Sequence, residues 1–251
     1  MSDLFDLHGM TAVVTGARRG IGRAMAEGLA AAGADILGVS AHPDPSDEIA
    51  TTVAAMGRTF ESFAVDFADR AAVQALGVQL AERAPDILVN NAGTIERSPA
   101  AQHPIDSWDR VLDVDLSNQF VFTQLLAVPM LSRGRGKIVF TASLLSFQGG
   151  INVAAYTAAK SGIAGLTRAL GNEWAPLGVN VNAIAPGYIA TDNTAALRTD
   201  PDRSLSILSR IPAGRWGDAS DIAGATVFLC SAASDYVSGA VIPVDGGWLA
   251  R

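Results

Sequence analysis

Thr11-Ala12-Val13-Val14-Thr15-Gly16-Ala17-Arg18-Arg19-Gly20-Ile21-Gly22 is the stretch on which the fold turns. A short apolar run over 11–15 ends at a glycine. A G-x-x-x-G-x-G loop follows and opens a helical segment over 21–32, which Gly33 stops. Glycines there permit a tight turn and bring backbone close to an anion. The free N–H groups and dipole of a helix N-terminus favour negative charge at that point. The bland reading is a turn that simply wants glycine, which supplies 25 of 251 residues. The position between a first strand and a first helix favours a phosphate site.

The same alternation continues outward. A strand is expected over 35–40, a polar turn over 42–47, a helix to about 56, and a third strand over 59–66. A helix over 70–83, a strand over 86–90 and one long helical run over 108–131 follow. Then come a strand over 137–142, a helix over 153–174 and a strand over 179–185. A helix over 221–230 and a last strand over 240–245 end the chain. Strands alternating with helices imply right-handed βαβ units and a doubly wound parallel sheet, so the fold class is α/β. No linker or repeat divides residues 1–251, which read as one domain. The stretch 187–217 reads as irregular. It is longer than an ordinary connection, as lids over active sites often are. Its arginines, Arg198, Arg203, Arg210 and Arg215, have two readings, a solvated face or contacts to substrate.

Bulk properties exclude several classes. Hydrophobic residues make up 49% and charged ones 17%, which suits a sheet covered on both faces. The net charge is −7 with no basic run, so nucleic acid is not an expected partner. No apolar stretch of about 18 residues suggests a membrane span. The acidic start lacks the order of a signal peptide, and a single cysteine, Cys230, leaves the cytoplasm as the expected location. His8, His42 and His103 are not metal-spaced, and no metal is expected.

Ligands in open α/β sheets bind beyond the carboxyl ends of the strands. Ser40, at the end of the second strand, stands where a carboxylate often holds a ribose. Asp44 and Asp47 lie beyond Pro43, and Arg18 and Arg19 are either solvated or placed to meet a 2′-phosphate. Asp66 either caps the next helix or accepts a bond from an adenine amino group. Asn90-Asn91-Ala92-Gly93 ends the fourth strand, where small residues let a cofactor lie across the strand ends.

Ser143 ends the fifth strand. Tyr156 follows on a helix, and Lys160 lies one turn on along the same face. A phenol with an ordinary pKa of about 10 needs help to act near neutral pH, and a neighbouring ammonium provides it. Only two of the eighteen basic residues are lysines, Lys137 and Lys160. Ser143 would hold a substrate oxygen where charge develops. Alone, a Tyr-x-x-x-Lys pair is as ordinary as any solvated helix pair; the strand-end serine and the glycine loop give it meaning.

Taken together, T-G-x-x-x-G-I-G, N-N-A-G, the serine thirteen residues before Y-x-x-x-K, and Pro186-Gly187 resemble the short-chain dehydrogenase/reductase family over essentially the whole chain. The resemblance implies one Rossmann domain with seven parallel strands, a homotetramer, and NAD as cofactor with NADP the alternative. It implies that Gly16, Arg18, Arg19, Gly20, Ile21, Gly22 and Ser40 serve the diphosphate and adenosine end. Asp66 and Phe67 would frame adenine, and Asn91, Ala92 and Gly93 would run beneath the cofactor. Pro186, Gly187, Ile189 and Thr191, with Tyr156 and Lys160, would hold the nicotinamide side. The segments 143–150, 185–191, 211–217 and 244–251 are similar to the family's sugar-acid branch, implying substrates such as 2-deoxy-D-gluconate or 2-dehydro-3-deoxy-D-gluconate. Gluconate and 3-oxoacyl substrates are the alternatives, and a non-catalytic dinucleotide-binding protein is a third. For a sugar-acid carboxylate, Arg97 and Arg215 are the candidate cations, and Gln148 a partner for hydroxyls. One position departs from the family pattern: Asp115 stands where the fourth catalytic residue is an asparagine. A carboxylate there is expected to pair with Lys160 and weaken its effect on Tyr156.

Overall fold

The computed structural model describes residues 2–42 and 48–251. Most of the turn expected over 42–47, with Asp44 and Asp47, lies outside the described residues. Seven strands form one parallel sheet in the order β3-β2-β1-β4-β5-β6-β7. They are β1 (Thr11–Thr15), β2 (Asp35–Ser40), β3 (Phe60–Ala64), β4 (Ile87–Asn90), β5 (Gly136–Thr141), β6 (Val179–Pro186) and β7 (Val241–Val244). The helices are α1 (Gly20–Ala31), α2 (Glu48–Ala55), α3 (Arg70–Ala81), α4 (Ile105–Leu112), α5 (Asn118–Arg133), α6 (Ala154–Trp174), α7 (Ala195–Thr199), α8 (Pro201–Leu208) and α9 (Ala223–Cys230). This is the single-domain Rossmann architecture that the resemblance implied.

Side chains alternate between the two faces of a strand, and β1 shows it. Val13 packs with Leu80 of α3, Phe122 and Leu126 of α5, and Ile163 of α6. Its neighbours Ala12 and Val14 face Met25 and Leu29 of α1, Ile49 of α2 and Leu229 of α9. Each fully buried aliphatic side chain is worth about 1.5–3 kcal/mol. Exposed ion pairs contribute about 0–1 kcal/mol each, so the two apolar layers hold the fold. Cys230 is buried in the second layer, and burial pushes its thiol up to about 12.

Strand order reverses between β1 and β4, which opens a crevice beyond their carboxyl ends. Two expectations need correction here. The long run expected over 108–131 is three pieces: α4, a wide π-type turn at Asp113–Ser117, and α5. Apolar spacing does not reveal the widened turn, because Val111, Leu112, Val114, Leu116, Phe120, Val121 and Phe122 spread apolar residues around the run and hide the change of face that one extra residue brings. The stretch 187–217 is not irregular either. It carries α7 and α8, and the latter starts where the Asp200 carboxylate accepts from the N–H groups of Asp202 and Arg203 with Pro201 behind it. A third, smaller core of Leu144, Ile207, Ile211 and Trp248 binds this segment to the rest.

Candidate active site

The strand ends are tied together by hydrogen bonds. The Thr15 hydroxyl accepts from the backbone N–H groups of Asn91 and Ala92, at 2.9 Å each. Asn91 Nδ2 donates to the Thr15 carbonyl at 3.1 Å, and the Thr141 hydroxyl donates to Asn91 Oδ1 at 3.2 Å. One asparagine thus joins the ends of β1, β4 and β5. Asn118 does the same for the loop after β3. Its Nδ2 donates to the Phe67 carbonyl at 2.7 Å, and its Oδ1 accepts from Arg70. Sequence reading missed Asn118. It also assigned a possible helix cap to Asp66, whereas Asp69 caps α3 by accepting from Ala72 N–H. The third strand stops at Ala64, so Asp66 is left in the loop. It accepts from Ala68 N–H there and lines the cleft.

The glycine loop fits a diphosphate. The residue before α1 is Arg19, whose side chain makes no cap hydrogen bond. The first N–H groups of α1 therefore have no side-chain acceptor and are available to an anion. A Cβ on Gly22 would stand 2.2 Å from the Gly16 carbonyl oxygen, so only glycine allows this close turn. A cleft of about 740 Å³ runs from Arg18, Ser40, Asp66 and Phe67 past this loop and Asn91–Gly93 to Ser143, Tyr156 and Lys160. Its length and its glycine floor accommodate an extended dinucleotide. Arg18 donates to the His42 carbonyl at 3.0 Å, and Arg19 pairs with Asp192 across the cleft at 2.7 Å.

At the other end the candidate chemistry converges. Lys160 is buried, and its Nζ donates to the Thr141 carbonyl at 2.9 Å and lies 5.5 Å from the Tyr156 ring centre. The side chain of Asp115, on the wide turn, is fully buried. Its Oδ1 accepts from Thr94 N–H at 2.7 Å, and its Oδ2 lies 3.3 Å from Lys160 Nζ. Oδ2 has no aligned hydrogen bond, so its tie to Lys160 is Coulombic. Burial pushes the Tyr156 phenol up. The Lys160 ammonium pulls it back, Asp115 opposes that pull, and the balance lies above the ordinary phenol value. Burial pulls Lys160 down, but Asp115 and Tyr156 outweigh it and keep the ammonium charged. Burial likewise raises the Asp115 carboxyl against the pull of Lys160. Ser143 sits at the end of β5 with its Oγ accepting from Leu145 N–H at 3.1 Å, and its hydroxyl favours the phenolate of Tyr156. A phenol, a buried ammonium and a hydroxyl facing one cleft can pass a proton to or from an alcohol oxygen.

The lid side brings together a partly unexpected set. Arg97 and Gln148 line this end, as expected, and so do Pro186, Gly187 and Thr191. Arg203 and Arg210 line it too, and the Arg210 guanidinium stacks 4.0 Å over the Trp248 ring. Trp248 borders the cleft as well and donates to Gln148 Oε1 at 3.3 Å. Arg215 is not brought in. Its guanidinium binds both oxygens of Asp221, at 2.7 and 2.9 Å, beside a smaller neighbouring cavity. The Ile189 side chain is buried in the core and borders that smaller cavity. Among the described residues no cluster has the makings of a metal site, and no helix is long and apolar enough to cross a membrane.

A family model described as enoyl-(acyl carrier protein) reductase matches residues 16–249. The chain is 54% identical to the 2-dehydro-3-deoxy-D-gluconate 5-dehydrogenase of Pseudoalteromonas atlantica, with all of both chains covered. A solved structure from Agrobacterium tumefaciens with bound NADP is 53% identical, with a TM-score of 0.94 over 99% of this chain and 100% of that one. The gluconate 5-dehydrogenase of Burkholderia cenocepacia, solved with NADP and tartrate, is 37% identical, with a TM-score of 0.94 over 100% of this chain and 99% of that one.

Proposed function

The chain belongs to the short-chain dehydrogenase/reductase family and is an NAD(P)-dependent oxidoreductase, and from that premise we propose that it interconverts a secondary alcohol and a ketone on a sugar acid such as 2-dehydro-3-deoxy-D-gluconate or 2-deoxy-D-gluconate. The reading is supported most by one feature. The cleft end with Ser143, Tyr156 and Lys160 also presents three guanidinium groups, Arg97, Arg203 and Arg210, which have no ion-pair partner among the described residues. Such a site suits a small substrate with a carbinol at one point and a carboxylate at another. It also agrees with what the sugar-acid dehydrogenases above are named for.

When bound, the nicotinamide supplies or takes the hydride at the carbon that carries the oxygen. The residues of the chain handle the proton. Ser143 holds the substrate oxygen beside Tyr156. In reduction the Tyr156 phenol donates its proton to that oxygen. In oxidation the phenolate takes the proton of the alcohol, so alcohol and oxidised cofactor give ketone, reduced cofactor and one proton. Lys160 steadies the phenolate through its charge. The segment 187–217, with α7 and α8, serves as the lid that brings Arg203 and Arg210 over the substrate. The assembly we propose is the homotetramer that the family resemblance implies. Phe120 and Val128, exposed two turns apart on α5, offer apolar surface for it.

The direct test is reduced-cofactor absorbance with a panel of gluconate derivatives; cofactor binding without turnover on any member would sink the reading. Two substitutions refine it. Arg97→Ala should raise KM for an acid substrate about tenfold or more, the scale of one lost charge-assisted pair, while sparing a neutral polyol; equal losses on both reject the carboxylate role. Arg18 stands at the β2 end, where no carboxylate is present among the described residues. Arg18→Ala should raise KM for NADP by about tenfold and leave NAD within about twofold, since only the former carries a 2′-phosphate. Equal effects on both cofactors place Arg18 outside that recognition.

A further inference from the structure

Resting on the reading of Tyr156 as the acid/base, we propose that Asp115 is a positioning residue that lets Tyr156 keep its phenol proton to higher pH, through its charge beside Lys160, and so widens the pH range over which the site can reduce a ketone.

Three observations carry this. The Asp115 side chain is fully buried, so its charge is poorly screened by water. Its Oδ1 is fixed by Thr94 N–H at 2.7 Å, which leaves Oδ2 3.3 Å from Lys160 Nζ. Lys160 Nζ is in turn held by the Thr141 carbonyl and stands 5.5 Å from the Tyr156 ring centre. Gly93 keeps the arrangement open, since a Cβ there would lie 3.1 Å from Oδ2. The wide turn at Asp113–Ser117 brings the carboxylate to this place.

The groups acting on the Tyr156 hydroxyl come from four elements. Lys160 lies on the same helix, Asp115 on the wide turn, Ser143 after β5 and Arg97 after β4. Burial opposes the phenolate most; among the neighbouring groups Lys160, Ser143 and Arg97 favour it, and Asp115 is the one whose charge opposes it. An asparagine in its place would retain the acceptor for Thr94 N–H and remove the part of the opposition that comes from the negative charge. With Asp115 present, the ammonium is partly neutralised and the phenol keeps its proton to higher pH. Proton donation to a ketone needs the phenol, and proton removal from an alcohol needs the phenolate.

Asp115→Asn is therefore expected to lower the ionisation midpoint of Tyr156 by about one pH unit, the effect of removing one nearby buried charge. The midpoint is read from ultraviolet phenolate absorbance as the difference between each protein and its Tyr156→Phe counterpart, which cancels Tyr188 and Tyr236. Kinetics give the second reading, with 2-deoxy-D-gluconate oxidised and its keto product reduced across pH. The rising limb of oxidation and the falling limb of reduction should both move to lower pH by the same amount, at unchanged cofactor affinity. Asp115→Ser, smaller and uncharged, should shift the midpoint in the same sense and carries the test if the asparagine variant does not fold. A midpoint that stays put or rises in the folded variant overturns the proposal. The absorbance titration needs no substrate. A wrong substrate assignment therefore leaves the proposal standing, whereas loss of turnover in Tyr156→Phe with no shift from Asp115→Asn removes only the role of Asp115.

Discussion

Tyr156→Phe is expected to lower kcat/KM by about a thousandfold, within the range of about 10²–10⁴ for losing a positioned acid/base, while cofactor affinity stays within about twofold. The substitution removes one oxygen and keeps the ring, so packing against Ala155, Ala159 and Trp108 survives. What disappears is the phenol hydroxyl that shares the cleft with Ser143 and lies under the field of Lys160. Stopped-flow turnover alongside a fluorescence titration of bound cofactor separates the two quantities. Full turnover in the variant would remove Tyr156 from the mechanism, and a parallel collapse of cofactor binding would mean that the hydroxyl serves binding instead.

Lys160→Met should do two things at once. Turnover should fall by about a hundredfold or more, because a fixed charge beside the developing phenolate is lost. Stability should also fall, because the substitution leaves Asp115 buried with no counter-charge. Breaking a buried pair from one side costs about 3–5 kcal/mol, which in a domain of this size lowers Tm by roughly 10 °C. The double variant Lys160→Met/Asp115→Asn should recover most of that Tm and none of the activity. The coupling between neighbouring residues is what such a cycle measures. Additive losses in Tm would mean that the two charges do not interact in the folded protein. The Lys160 ammonium stays charged to higher pH than a free lysine does. Its stabilising contribution is thus present below the unfolded-state value of about 10.4 and is lost only as pH rises through the folded one.

The strand ends were legible because each carries a residue with a mechanical reason to be there. Gly16, Asn91, Ser143 and Pro186 mark the ends of β1, β4, β5 and β6, and all four line one cleft. The pairing of Asp115 with Lys160 was also legible, since the motif placed a carboxylate where an amide was expected. The wide turn that delivers it was not, because the run over 111–122 is apolar at so many positions that the change of face made by one extra residue leaves no visible break. The lid was misread for a different reason. Helices of five and eight residues carry too few apolar positions to show a period. Even so, Asp200-Pro201 is a start signal, and Arg203, Ile207 and Arg210 recur at helical spacing. Arg203 and Ile207 lie one turn apart on α8 and Arg210 follows two residues past its end; all three line the cleft, while Arg215 lies further on near Asp221. Asp66 and Asp69 compete for one cap, and only the actual end of β3 decides between them.

The lone thiol of this chain is shut inside the apolar layer under α9 and almost never ionises near neutrality, so alkylating reagents should pass the native enzyme by. A cysteine introduced at Ser206, on the cleft side of α8, would then be the single reactive handle. A dye attached there would report opening and closing of α8 in the working enzyme without any background labelling to subtract.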